Sequence, residues 1–291
     1  SHMSVHDMLL CAIADHLHER IRDEDGGWQR RWVECSLQHL SMLCWAFARA
    51  MPSHAITRRV LTDVSKELQS RGLHGGIKAQ EQANLLWAFS EAAEFAPPDQ
   101  HPKAIQERLV KLMCDPKLRT SEASLLATVS STHALSKIYS GLDVQNRRLV
   151  ERWMQRSSRR CCSLGLGSLK VSELVVLMRS LLSCRMLHAR LAKDALECLR
   201  DDKRDLLQPF EIVAVLEAAA SVRFSTAPPA ILEIAGTAAA RLSDFQAREL
   251  VALLWALARI TSVPRAELEP VLLAGSAALA RHVPLWPSHD N

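Results

Sequence analysis

Leu253-Leu254-Trp255-Ala256-Leu257-Ala258-Arg259 decides how this chain folds, because the chain says it more than once. Leu43-Cys44-Trp45-Ala46-Phe47-Ala48-Arg49 and Leu85-Leu86-Trp87-Ala88-Phe89-Ser90-Glu91 repeat it plainly. Leu177-Met178-Arg179-Ser180-Leu181-Leu182-Ser183 and Val215-Leu216-Glu217-Ala218-Ala219-Ala220-Ser221 fit once the Trp position is allowed to vary. Ser131-Thr132-His133-Ala134-Leu135-Ser136-Lys137 is a weaker sixth copy. The variable anchors fall at 45, 87, 133, 179, 217 and 255, with spacings of 42, 46, 46, 38 and 38. The third copy can also be registered on Leu125-Leu126-Ala127.

Around each anchor the apolar residues keep helical spacing, as in Leu250, Leu253, Leu254 and Leu257. The residue after the anchor is always Ala or Ser, small enough for a neighbouring helix to approach closely. Each anchor therefore marks a helix A. A second amphipathic stretch, helix B, follows a short break, beginning near Ala55, Ala104, Arg147, Ala189, Ala230 and Ala266. Pro52, Pro97-Pro98, Gly141, Pro228-Pro229 and Pro264 mark the breaks, since proline suits a first helical turn and disrupts an interior. A helix over Val5 to Ile21 reads as helix B of an earlier unit. The glycine-bearing stretches 69–79 and 160–169 read as connections. A lone pair cannot bury its apolar face, so the pairs must stack. The expectation is an all-α, right-handed α-solenoid of about six helix-turn-helix repeats, forming one domain over residues 1–291.

Composition agrees with that class. Of 291 residues 48% are hydrophobic but only 5% aromatic, and the Leu and Ala that dominate are strong helix formers. Eight cysteines are scattered without a CxxC pair, most of them inside apolar helical patterns, which suggests free thiols in a reducing compartment. No segment stays apolar for the length a membrane span needs, so no membrane partner is expected. Ser1-His2-Met3 reads as an expression-tag scar.

The Leu-Leu-Trp-Ala-Phe/Leu-Ala/Ser cores resemble the helical repeats that precede the RAP domain in organellar RNA-metabolism proteins. These include octotricopeptide and heptatricopeptide repeats and the related region of FAST-kinase-domain proteins. The likeness covers residues 35–280 as architecture, with about seven motif residues per unit. It implies RNA binding in a mitochondrion or plastid. The proline-rich PPPEW signature of the algal repeats is absent from helix B, and no RAP domain follows Arg281, so no nuclease-like activity is carried over.

Charge is segregated along the chain. Residues 101–204 hold 20 basic and 10 acidic groups, a net +10, between flanks of net −3 each. Arg148, Arg152 and Arg156 recur every fourth residue, flanked by Arg147, Arg159 and Arg160, with Glu151 the lone acid from 147 to 160. Like charges at that spacing weaken an isolated helix, whereas a phosphate backbone would hold them through charge-assisted contacts. Lys103, Arg108, Lys111, Lys117 and Arg119 form a second basic group, and Arg190, Lys193, Arg200, Lys203 and Arg204 a third. The expected phosphate contacts are Arg148, Arg152, Arg156, Arg159 and Arg160, extended by Lys111, Arg190 and Lys193. A solvated outer face, or one that meets an acidic protein, is the competing reading.

A position that accepts Trp, His, Arg and Glu cannot be fully buried in every unit. His133, Arg179 and Glu217 are thus candidate base-reading residues, while Trp45, Trp87 and Trp255 suit packing at the seams between units. GxxxxGK[ST], GxSxG and HExxH are all missing, and Gly165-Leu166-Gly167 lacks the rest of a dinucleotide fingerprint. His16 and His18 do not share a helix face, so they make a poor metal pair. Cys161-Cys162, beside the arginines, are either activated thiols or ordinary cysteines at a helix end. The function expected is non-catalytic binding of single-stranded RNA in organellar RNA processing, stability or ribosome assembly, with no cofactor, metal or small-molecule substrate. The alternative is a protein-interaction scaffold of HEAT or armadillo type that binds an acidic peptide, a neighbouring subunit or a second copy of itself.

Overall fold

The structure is a computed structural model that describes residues 5–18, 20–22, 28–30, 35–71, 77–95, 107, 110–111, 114, 124–200 and 203–282. They are overwhelmingly helical. Strands Arg20–Arg22 (β1) and Trp28–Arg30 (β2) form a short antiparallel ladder with Ile21 opposite Gln29.

Two compact units divide between Met154 and Gln155. Unit 1 holds α1 (Val5–His18), α2 (Leu37–Ala50), α3 (Ala55–Ser70), α4 (Ala79–Phe95) and α5 (Leu125–Ile138). The helix α6 (Val144–Leu164) carries the division within its length. Unit 2 adds α7 (Val171–Ser183), α8 (Ala189–Arg200), α9 (Pro209–Ser221), α10 (Pro229–Ala240), α11 (Ala247–Arg259) and α12 (Arg265–Ala280).

Within unit 1 the A helices α2, α4 and α5 pack side by side in chain order, and α1 packs on α3. In unit 2 the A helices α7, α9 and α11 form one row. The B helices α8, α10 and α12 form a second row, and each A helix packs on the B helix that follows it. The cores are the facing Leu, Ala and Val stripes: Leu174, Leu177 and Leu181 on α7, Ile212, Leu216 and Ala219 on α9, and Leu250, Leu253 and Leu257 on α11 are all buried.

The helix starts repeat as faithfully as the anchors. Every A helix in these two rows begins eight residues before its anchor, after a residue nine before it: Ser36, Lys78, Ser124, Lys170, Gln208 or Gln246. In four of them a glutamate at the third helical position turns back to accept the amide of the residue before the helix. These are Glu81 to Lys78 (2.9 Å), Glu173 to Lys170 (2.8 Å), Glu211 to Gln208 (2.9 Å) and Glu249 to Gln246 (2.9 Å). One otherwise unpaired amide is satisfied and a negative charge sits on the positive end of the helix dipole. The other two use serine: Ser36 Oγ accepts from His39 N and Ser124 Oγ from Ala127 N. The cap at Ser124 places the third anchor at His133 and removes the alternative registration on Leu125-Leu126-Ala127.

A second recurring device ties the end of helix B to the start of its own unit. Arg71 Nη1 donates to the Cys35 carbonyl (2.6 Å), Lys203 Nζ to Leu169 (2.6 Å) and Gly167 (2.7 Å), and Arg241 Nη1 to Leu207 (2.8 Å). Cys35, Leu169 and Leu207 each stand immediately before the residue that caps an A helix. The cation closes the hairpin by satisfying a carbonyl that the turn leaves without a helical partner.

Two boundaries differ from those read in the sequence. The connection expected at 160–169 is helix as far as Leu164, and the turn that follows is made by Gly165 at φ 77, a left-handed conformation suited to glycine. The opening helix stops at His18 rather than Ile21, because the chain there enters β1. The break at Pro97-Pro98 and the helix start near Ala104 lie outside the described residues.

Candidate nucleic-acid interface

The two halves of α6 are taken with their own units. In unit 1, α6 starts at Asp143, whose carboxylate accepts from Asn146 N (2.8 Å) and Asn146 Nδ2 (2.7 Å). The Asn146 amide above all holds the Asp143 carboxyl below its ordinary range, and the positive charge of Lys111 adds a smaller effect. Arg147 is tied to the turn below it, with Nε on the Leu142 carbonyl (2.7 Å) and Nη2 on Ser140 (2.9 Å). Glu151, the lone local acid, is taken by the Tyr139 hydroxyl at 2.5 Å. Arg148 and Arg152 are exposed on the outward face, and Lys111 is exposed on helical backbone. For Arg148 and Lys111 no side-chain partner occurs among the described residues; Arg152 Nε has only a long contact to the Arg148 carbonyl (3.4 Å).

In unit 2, Arg159 continues as an exposed side chain, whereas Arg156 and Arg160 are half-buried. The sequence reading placed 148, 152 and 156 on one face. Each residue of an α-helix turns about 100°, so eight residues leave Arg156 about 80° round the helix from Arg148. The exposed row runs through 148, 152, 155 and 159 instead. Arg156 and Arg160 occupy the edge of that row.

Arg190 and Lys193 are exposed on the outer side of α8. Arg159 from α6 and Arg190 from α8 both act on His188, which stands immediately before α8. Its Nδ1 accepts the Leu191 amide at 3.3 Å, so the unprotonated ring caps the helix. Partial burial, then the charges of Arg159 and Arg190, hold the His188 pKa below its ordinary value, with Asp194 opposing them. Two cations from different helices thus converge beside a helix N-terminus, an arrangement suited to a phosphate or another anion. Sequence reading missed His188. The signal available was a histidine one residue before a helix start with an arginine two residues on.

The rest of the third basic group is engaged internally. Arg200 pairs with Glu197 (3.4 Å) and Glu233 (2.9 Å), Arg204 with Glu233 (3.4 Å) and Asp205 (3.5 Å), and Lys203 holds the two backbone carbonyls described above. Lys103, Arg108, Lys117 and Arg119 lie outside the described residues.

The anchors form a different surface. Trp45, Arg179 and Trp255 are exposed, and Trp87, His133 and Glu217 are half-buried. Trp45 and Trp87 meet across the seam of α2 and α4 with ring centroids 6.2 Å apart and planes tilted by 42°. Arg259 lies over the Trp255 ring at 4.1 Å. The tryptophans therefore pack partly, as expected at a seam, and keep substantial exposed area. In unit 2, Arg179 and Glu217 stand on the A row while Arg190 and Lys193 stand on the B row.

The eight cysteines are thiols, none of them joined in a disulfide. Burial pushes the Cys161 thiol up to about 11. Burial and the neighbouring Asp194 carboxylate push Cys162 up to about 11 as well. These are packed thiols, and the reading of an arginine-activated pair does not hold. Among the described residues no group of three or more His, Cys, Asp or Glu is placed to hold a metal ion, and no helix is long and apolar enough to cross a membrane. Compared with known proteins, the chain matches no family model and no curated protein.

Proposed function

We propose that this chain is a right-handed α-solenoid that binds single-stranded RNA without catalysing a reaction, its phosphate backbone contacting the outer side of the B helices. The observation that carries the reading is the clustering of exposed cations on α6 and α8, whereas Arg49, Arg223, Arg248 and Arg265, equally exposed, stand singly. Arg58, Arg59, Arg71, Arg147, Arg200, Lys203, Arg204 and Arg241 are each engaged by a carboxylate or a carbonyl. Arg148, Arg159, Arg190 and Lys193, all exposed, have no side-chain partner among the described residues. Cations that cap helices and close hairpins are explained by the fold. A run of exposed arginines on one helix face stabilises nothing local, and a polyanion accounts for it.

Arg148, Arg152 and Lys111 would serve unit 1, and Arg159, Arg190 and Lys193, with Arg156 and Arg160 at the edge, would serve unit 2. His133, Arg179 and Glu217 would read bases only from a strand on the A side, so they belong to a separate contact. An organellar role in RNA processing, stability or ribosome assembly follows from the resemblance of the repeat cores to RAP-associated repeats. The test is fluorescence anisotropy of a labelled mixed-sequence single-stranded RNA over a range of salt. Binding that weakens steeply with salt, on a log–log slope of several, supports the reading. Absence of binding at low salt ends it.

A further inference from the structure

Burial at equivalent positions identifies two apolar faces that complete each other. Four residues before the anchor, Val175 on α7 and Val213 on α9 are 3% and 7% exposed, whereas Val251 on α11 is 44% exposed. One residue before the anchor, Met178 and Leu216 are fully buried and Leu254 is half-buried. The side of an A helix that carries these positions is the side that meets the next A helix. On α11 it is left as an exposed apolar strip, Val251-Leu254-Trp255-Ala258, at helical spacings of three and four.

The first A helix shows the converse pattern. One residue after the anchor, Ala88 and Ala134 are fully buried but Ala46 is half-buried. Two residues before it, Leu85 and Ser131 are buried and Leu43 is half-buried. Six before it, Glu81 and Ala127 are buried and His39 is exposed, and Met42 beside them is 54% exposed. These positions form the side of an A helix that receives the preceding one. On α2 they border an open groove of about 700 Å³ between Ala12, Ile13 and His16 of α1 and His39, Met42 and Ala46 of α2.

We infer that the α11 strip of one molecule docks into the α1–α2 groove of a second copy. The contact repeats between molecules the A-on-A packing already made from α7 to α9 and from α9 to α11. The interface is already established inside the fold, and the same chain supplies both halves. Neither face is polar, and exposed apolar surface of this kind marks a place where another protein surface docks. Because the two halves differ, each molecule offers one strip and one groove, and two molecules can be joined by a single strip-to-groove contact. It does not depend on RNA binding, and the arginines of α6 and α8 take no part.

The experiment is sedimentation velocity of the full chain from low to high micromolar concentration, for the wild type, Val251→Glu and Met42→Glu. Both substituted side chains are exposed, and circular dichroism with a thermal melt checks that each variant is folded. The wild type is expected to associate into dimers or larger species as concentration rises, and each variant alone to remain monomeric. Mixing the two folded variants restores one intact interface, from the strip of Met42→Glu to the groove of Val251→Glu, and gives dimers that grow no further. A wild type that stays monomeric throughout overturns the inference. So does a mixture of variants that stays monomeric, since it means that strip and groove are not each other's partners.

Discussion

The guanidinium of Arg241 reaches back 34 residues to donate a 2.8 Å hydrogen bond to the carbonyl of Leu207, the residue before the cap of α9. Lys203 makes the same connection to Leu169 across the same 34 residues. Two hairpins of unit 2, α7–α8 and α9–α10, are thus each closed by one cation. Replacing Arg241 by Ala leaves that carbonyl without its donor and also removes the Arg241–Asp244 contact (3.1 Å). Because the side chain is partly exposed, the loss is expected to be about 1 kcal/mol, at the low end for a charged hydrogen bond. Urea unfolding checks it, and Arg241→Lys should recover part of the loss.

The glutamates that start the A helices make a second prediction. Glu211 is buried and its carboxylate is held by the Gln208 amide, so Glu211→Ala should cost about 1 kcal/mol. Glu211→Gln keeps an acceptor but loses the charge at the helix N-terminus, and should fall between the two. Thermal melts of both variants beside the wild type measure the order.

Cys161 makes the protein sensitive to alkali. Burial holds its thiol up to about 11 from an ordinary 9.0, so the folded state keeps a proton that the unfolded state gives up first. The stability this contributes is fully present below about 9 and is lost as pH rises towards about 11. Unfolding midpoints measured across that range should fall for the wild type and fall less for Cys161→Ala. Thiol alkylation near neutral pH should be slow at both Cys161 and Cys162.

His188 reports on the basic site beside it. Its pKa is depressed in the free protein, so the stability it contributes is present above 6.5 and is lost as pH falls through the lowered value. A phosphate held by Arg159 and Arg190 would offset the charges that depress it and raise the pKa. By linkage, RNA affinity should then increase as pH is lowered through this range, and His188→Gln should remove that increase. NMR titration of the ring, free and bound, measures the shift directly, and no change on binding would place the phosphate elsewhere.

Much of the fold was legible because the information was local and periodic. The six anchors locate the A helices, and the structure adds that each lies nine residues after a cap, a regularity that also settles the register at His133. The binding surface was harder to read. Counting charges along the chain put Arg200, Lys203 and Arg204 in one basic group with Arg190, although only Arg190 and Lys193 were taken as phosphate contacts. The partners of Arg200, Lys203 and Arg204, which are Glu233, Gly167 and Leu169, lie 29 to 36 residues away, where no local window sees them. Arg156 was placed on the wrong row because a four-residue step overshoots the helical turn and the error doubles over two steps. His188 was passed over because its partners Arg159 and Arg190 come from separate helices.

The central claim is that RNA phosphates lie on the B side, and charge reversal on each side separately tests it most directly. Arg148→Glu with Arg152→Glu, and Arg159→Glu with Arg190→Glu, are compared with Arg179→Glu on the A side, all by anisotropy with the same single-stranded RNA. The account predicts that each B-side pair weakens binding by more than tenfold and flattens its salt dependence, while the A-side change has a much smaller effect. Unchanged affinity in both B-side pairs, with loss confined to Arg179→Glu, would contradict it.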